Sequence, residues 1–105
     1  MNFKFTKYQG ACNDFIIIDD RLEQFDISKS GLISSLCERK SGIGADGFIL
    51  LRNYEGADFE MIFFNSDGLL GSLCGNGGRC LVDFAHSLNI FEDSCTFIAA
   101  DGIHY

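Results

Sequence analysis

A chain of 105 residues, 47% apolar with eleven Phe, has room for one domain and a modest core, and it contains no run near the roughly 20 apolar residues of a membrane span. A net charge of −7, with the eight Lys and Arg scattered along the chain, opposes nucleic acid or anionic membrane as partners, because both are held chiefly by basic side chains. Five cysteines with no C-x-x-C pair fit neither a complete disulfide framework nor a zinc ribbon, and reduced thiols in a cytoplasmic protein fit better.

The N-terminus alternates polar and apolar from its second residue and has neither the apolar run nor the small-residue cleavage site of a signal peptide. Residues 2 to 8 predict a strand with Phe3 and Phe5 on one face, and Phe15-Ile16-Ile17-Ile18-Asp19 predicts its partner across the polar loop from Gln9 to Asp14. From Ser28 or Ser30 as N-cap, Leu32, Ile33, Leu36 and Cys37 fall at helical spacing, and Glu38-Arg39-Lys40 closes the last turn with cations suited to the helix dipole. Glycines at 42, 44 and 47 end that pattern. Phe48 to Arg52 and Asp58 to Phe64 then read as strands separated by the turn-like Asn53-Tyr54-Glu55-Gly56. The second of these is apolar on both faces near its end, which predicts a central place in the sheet. Leu81, Phe84, Ala85 and Leu88 make one stripe of a second helix, Cys95 to Ala99 makes a further strand, and residues 101 to 105 look like a turn entering another.

The segment Cys74-Gly75-Asn76-Gly77-Gly78-Arg79-Cys80 runs into that second helix. A thiol at a helix N-terminus sits beside unsatisfied backbone N–H groups and the positive dipole end, which favour the thiolate, and glycines let the backbone close round a ligand. Cys74 is therefore the candidate reactive atom. Cys37, Cys80 and Cys95 lie on apolar stripes or at an element start and read as packing residues. Asn13 and Asn65 suit turns as well as binding, and Asp46 and Asp67 suit capping better than acid/base work. The glycines at 42, 44 and 47 lack the G-x-x-x-x-G-K-[ST] phosphate cradle and read as loop geometry, while His86 lies about three turns from Cys74 and reads as a surface residue.

Four segments, Gly10 to Phe15, Gly42 to Gly47, Phe64 to Gly68 and Cys74 to Cys80, together resemble the N-terminal half of the diaminopimelate epimerase family in order and spacing. Asn76 stands where the related proline racemases carry a histidine, which favours the diaminopimelate branch. The resemblance implies an α+β fold over residues 1–105, a mixed, mostly antiparallel sheet wrapped around a central helix. This would be one half of a two-domain protein whose active site lies in the cleft between the halves, with one catalytic cysteine on each. It implies interconversion of LL- and meso-diaminopimelate for lysine and peptidoglycan-precursor synthesis, with neither pyridoxal phosphate nor a metal. Cys74 would be one of the two acid/base thiols. Asn13, Asn65, Gly75 and Asn76 would contact the substrate's amino and carboxylate groups.

Cys12 stands where the family usually has Gly, Gly47 where some members have a substrate-contacting Gln, and Leu69-Leu70-Gly71 where a Glu is common. The second cysteine and the Glu and Arg contacts belong to a C-terminal half beyond residue 105. The 105 residues alone are thus expected to be a poor epimerase and to associate, with that half or with themselves, through the apolar cleft face. Two other readings stand beside this one. The chain could be a non-catalytic half-domain that binds an amino acid or assembles with a partner chain, or a thiol-redox device using Cys12 and Cys74.

Overall fold

The computed structural model describes residues 4–10, 13–71, 75–99 and 102–104. A six-stranded sheet runs in chain order through β1 (Thr6–Gly10), β2 (Asn13–Asp19), β3 (Gly47–Arg52), β4 (Phe59–Asn65), β5 (Phe97–Ala99) and β6 (Gly102–His104). The β2–β3 and β4–β5 pairs are parallel and the other three antiparallel. Each parallel step is bridged by a helix, α1 (Ser30–Cys37) after β2 and α2 (Gly75–Ser87) after β4, as parallel pairing requires. The mixed, mostly antiparallel α+β architecture is as expected, and the strand at 59–65 is central.

Both faces of the middle strands are covered. Phe15, Ile17, Ile49, Leu51 and Met61 point to α2 and pack against Leu81, Phe84 and Ala85, while Ile16, Ile18, Phe48, Leu50 and Phe64 point the other way to Ile33 and Cys37 of α1. That alternation explains why β2 and β3 read as unbroken apolar runs. The second face, closed by α1, adds a smaller core to the one built on the central helix.

Helix α1 departs from expectation at both ends. Its N-cap is Lys29, without a side-chain cap bond, and Ser30 is already helical. Ser28 is diverted to Asp26, whose Oδ1 accepts from both its hydroxyl and its N–H. At the other end the helix stops at Cys37 with Glu38 extended, so Arg39 and Lys40 lie beyond it rather than in its last turn. The glycine loop closes it instead. Ile43 and Gly44 N–H both donate to Leu36 O, at 2.9 and 3.0 Å, and Ala45 N–H donates to Cys37 O at 3.1 Å. Gly42 makes this wrap possible, because a Cβ there would fall 2.1 Å from Ser35 O. Leu32, expected on the buried stripe, is 42% exposed. In so short a helix the sheet covers only the Ile33–Cys37 line.

A buried ion pair fastens the far end of the sheet. Asp20, 2% exposed, accepts from Arg52 Nε at 2.8 Å and from the N–H groups of Gln24 and Phe25, and Arg52 Nη2 donates to Phe25 O at 2.8 Å. Removing one partner of such a set leaves the others buried and uncompensated. Asp20→Ala is expected to lower the unfolding free energy by about 3 to 5 kcal/mol, read from urea denaturation. A change under about 1 kcal/mol would mean that water replaces the carboxylate.

Candidate functional site

The start of α2 and the start of β2 meet at one end of the sheet. A Cβ on Gly77 would lie 3.3 Å from Ile49 Cδ1 and 3.5 Å from Phe15 Cε1, so the missing side chain sets how closely the first turn of α2 approaches the sheet. Two of the three glycines after Cys74, Gly77 and Gly78, are buried by that approach, whereas Gly75 is exposed. Tyr8 of β1 holds the helix further along through an edge contact with Phe84, ring centroids 6.0 Å apart.

This docking brings Asn76 to Asn13. Asn76 Nδ2 donates to Asn13 Oδ1 at 2.9 Å, and Arg79, one turn along α2, donates to Asn76 Oδ1. On its other side Asn13 Nδ2 donates to Asp46 Oδ2 at 3.4 Å. Asn65 ends β4, and Gly47 pairs with Phe15 on one side and with Asn65 on the other, so Asn65 closes the same end of the sheet. Three of the five expected site residues, Asn13, Asn76 and Gly75, therefore gather at the helix start, with Asn65 two strands across from β2. The fifth, Cys74, immediately precedes α2 and lies outside the described residues, as does Cys12.

Beneath Asn13 is an ionic cluster that sequence patterns did not single out. Asp14, buried, accepts from Arg39 Nη1 and Nη2 at 3.1 and 2.8 Å and pairs with Lys7 Nζ at 3.1 Å. Asp14 and Asp46 also lock each other's backbone. Asp46 N–H donates to Asp14 Oδ1 at 3.0 Å and Asp14 N–H to Asp46 Oδ2 at 3.1 Å, while Arg39 Nη2 reaches Asp46 Oδ1 at 3.1 Å. The Arg39 fork, above all, holds the Asp14 carboxyl well below the usual carboxylate range, with Lys7 and the Asp46 N–H acting in the same direction against burial. Asp46 thus fastens a loop, as expected of it, and Asp67 accepts from Leu69 N–H at 2.9 Å in the turn after β4. The available signal was the pair of carboxylates in glycine-rich strings, Asn13-Asp14 and Ala45-Asp46, each needing a cationic partner.

The other thiols are packing groups. Cys37 and Cys80 are buried and Cys95 half-buried, and burial pushes the thiols of Cys37 and Cys95 up, away from the reactive thiolate. His86 is exposed, edge-on to Phe91. At Gly47 a Cβ would lie 3.0 Å from Phe63 Cε2 and 3.1 Å from Phe15 Cδ1, so a side chain there would require both rings to shift. Among the described residues no group of three or more His, Cys, Asp or Glu is placed to hold a metal ion, and no helix is long and apolar enough to cross a membrane.

A family model described as Diaminopimelate epimerase matches residues 5–104. A diaminopimelate epimerase of Flavobacterium psychrophilum is 56% identical over 102 residues, 97% of this chain and 40% of the relative. That of Chlorobaculum tepidum is 52% identical over 81 residues, 77% of this chain and 31% of the relative. That of Aquifex aeolicus is 39% identical, covering 95% and 39%. The chain thus spans 31–40% of the length of these curated relatives. Two solved structures share the fold over 96% of the chain. One is a Bacillus anthracis phenazine biosynthesis protein of the PhzF family, with TM-score 0.67, 19% identity and 33% of its length covered; the other is a methylitaconate-delta-isomerase, with TM-score 0.73, 12% identity and 55% covered.

Because the folded-state pKa of Asp14 lies below its ordinary value of 3.8, the cluster's contribution is complete above that pH and is lost as pH falls through the folded value. Asp14→Asn is expected to lower the thermal midpoint at neutral pH and to flatten its decline below about pH 4. Parallel acid slopes in the two proteins, followed by circular dichroism, would count against this role.

Proposed function

Since the chain belongs to the diaminopimelate epimerase family, we propose that it supplies one half of a cytoplasmic, cofactor-independent isomerase interconverting LL- and meso-diaminopimelate in lysine and peptidoglycan-precursor synthesis. Residues 1–105 form its N-terminal domain, and a second half carrying an opposed cysteine corresponds to the remaining length of the relatives. The observation that carries this reading is the contact between Asn13 and Asn76. Two motifs 63 residues apart meet at the first turn of the helix that follows Cys74.

Inverting an α-carbon means removing its proton from one face and returning one to the other. Two groups on opposite sides do this most directly. Cys74 is one of them, a thiolate that abstracts or a thiol that donates according to the direction of the reaction. A thiol that precedes a helix in the chain is favoured as the thiolate by the first N–H groups of that helix, and with no cofactor as electron sink the same donors stabilise the charge that develops on the substrate. Asn13, Asn65, Asn76 and the backbone of Gly75 bind the amino and carboxylate groups, for which amides offer an acceptor oxygen and donor hydrogens. The second half covers the cleft face and completes the substrate's enclosure.

In the protein as its reading frame encodes it, Cys74→Ala is expected to slow α-proton exchange of diaminopimelate into deuterated water by about 10² to 10⁴-fold. Calorimetry should show diaminopimelate still bound. Binding without exchange in the unmutated protein would move the reading to an amino-acid-binding half-domain.

A further inference from the structure

We propose that Asp46 and Arg79 are positioning residues, which set from opposite ends the direction in which the amides of Asn13 and Asn76 face. The inference rests on the reading of those two asparagines as substrate-binding groups. An ionised carboxylate only accepts hydrogen bonds and a guanidinium only donates them, whereas an amide side chain does either according to which way round it sits. Here four such groups stand in a row. Asp46 Oδ2 draws Asn13 Nδ2 toward it at 3.4 Å, which turns Asn13 Oδ1 to Asn76. Asn76 answers with Nδ2 at 2.9 Å, which turns its Oδ1 to Arg79. Reversing either amide alone would set N–H against N–H, or oxygen against oxygen. With an obligatory acceptor at one end and an obligatory donor at the other, the row has a single consistent arrangement, and the structure adopts it.

Both ends are anchored. Asp46 also takes the Asp14 N–H and the Arg39 guanidinium and gives its own N–H to Asp14. Arg79 lies three residues beyond Asn76 on the same face of α2. An amino-acid substrate presents an ammonium, which needs an oxygen, and a carboxylate, which needs N–H groups. A reversed amide would therefore repel the group it is meant to hold. Asp46, read from sequence as a loop-capping carboxylate, acquires a second task through Asn13.

The test uses Asp46→Asn, Asn13→Ala, their double variant and Arg79→Met in the protein as its reading frame encodes it. Side-chain amide resonances are followed with ¹⁵N-asparagine, and kcat and KM are measured with LL-diaminopimelate. Asp46→Asn is expected to move the Asn13 pair of resonances and, through it, the Asn76 pair, and Arg79→Met to move the Asn76 pair. Asp46→Asn should raise KM about tenfold with kcat within about twofold, and should change KM less than about twofold once Asn13 is Ala. Unmoved resonances, or the same KM factor with and without Asn13, would overturn the proposal. If Asp46→Asn does not fold, Asp46→Glu, which shifts the carboxylate by one methylene, is expected to move the same resonances. A protein that turns over no diaminopimelate defeats the epimerase reading instead, and the amide resonances then decide the positioning by themselves.

Discussion

The Asp14 carboxylate ties together three stretches that are separate in sequence: β1 through Lys7, the turn beyond α1 through Arg39, and the loop before β3 through the Asp46 N–H. A buried carboxylate is costly unless its charge and its lone pairs are both answered, and here two cations and a backbone donor answer them. The same contacts fix the path of the glycine loop that caps α1 and the entry into β2. Asn13 stands on this joint, its backbone placed by the ionic cluster next to it and its side chain joined to the cluster through Asp46.

A second constraint works from the opposite side of the sheet. Helix α2 approaches Phe15 and Ile49 closely because Gly77 offers no side chain to hold it off, and Leu81, Phe84 and Ala85 then seal the larger core. The glycines after Cys74 are thus divided in their work. Gly77 and Gly78 serve packing against the sheet, and only Gly75 remains open to solvent beside the candidate thiol. Close packing and an accessible backbone are both needed at this turn, which accounts for a glycine-rich string better than ligand approach alone.

The elements were legible in the sequence because their apolar patterns are clean: short unbroken apolar runs in β2 and β3, and a stripe of Leu81, Phe84 and Ala85 on α2. The ends of α1 were not. Ser28 had a nearer partner in Asp26, and Arg39 was claimed by the carboxylates of Asp14 and Asp46, so local propensity lost to side-chain contacts outside the helix. At the candidate site, Asn13, Asn65, Gly75 and Asn76 were singled out through motif strings that resemble a family, and for Asn13 and Asn65 spacing alone left turn chemistry as an equal explanation. Arg39 was missed as a site-supporting group because its partner lies 25 residues earlier in the chain. Long-range ion pairs leave no periodic trace.

Strand order in this sheet equals chain order, from β1 to β6. Each strand finds its neighbour already made when it emerges from synthesis, so the sheet can grow from the N-terminus, with longer closures only at the two helical crossovers. The asparagine contact is different in kind, spanning 63 residues and requiring α2 to have swung back across the finished β2–β3 face. The strands can pair in order as they are made, whereas the contact between Asn13 and Asn76 forms in the same step in which α2 docks and closes the larger core.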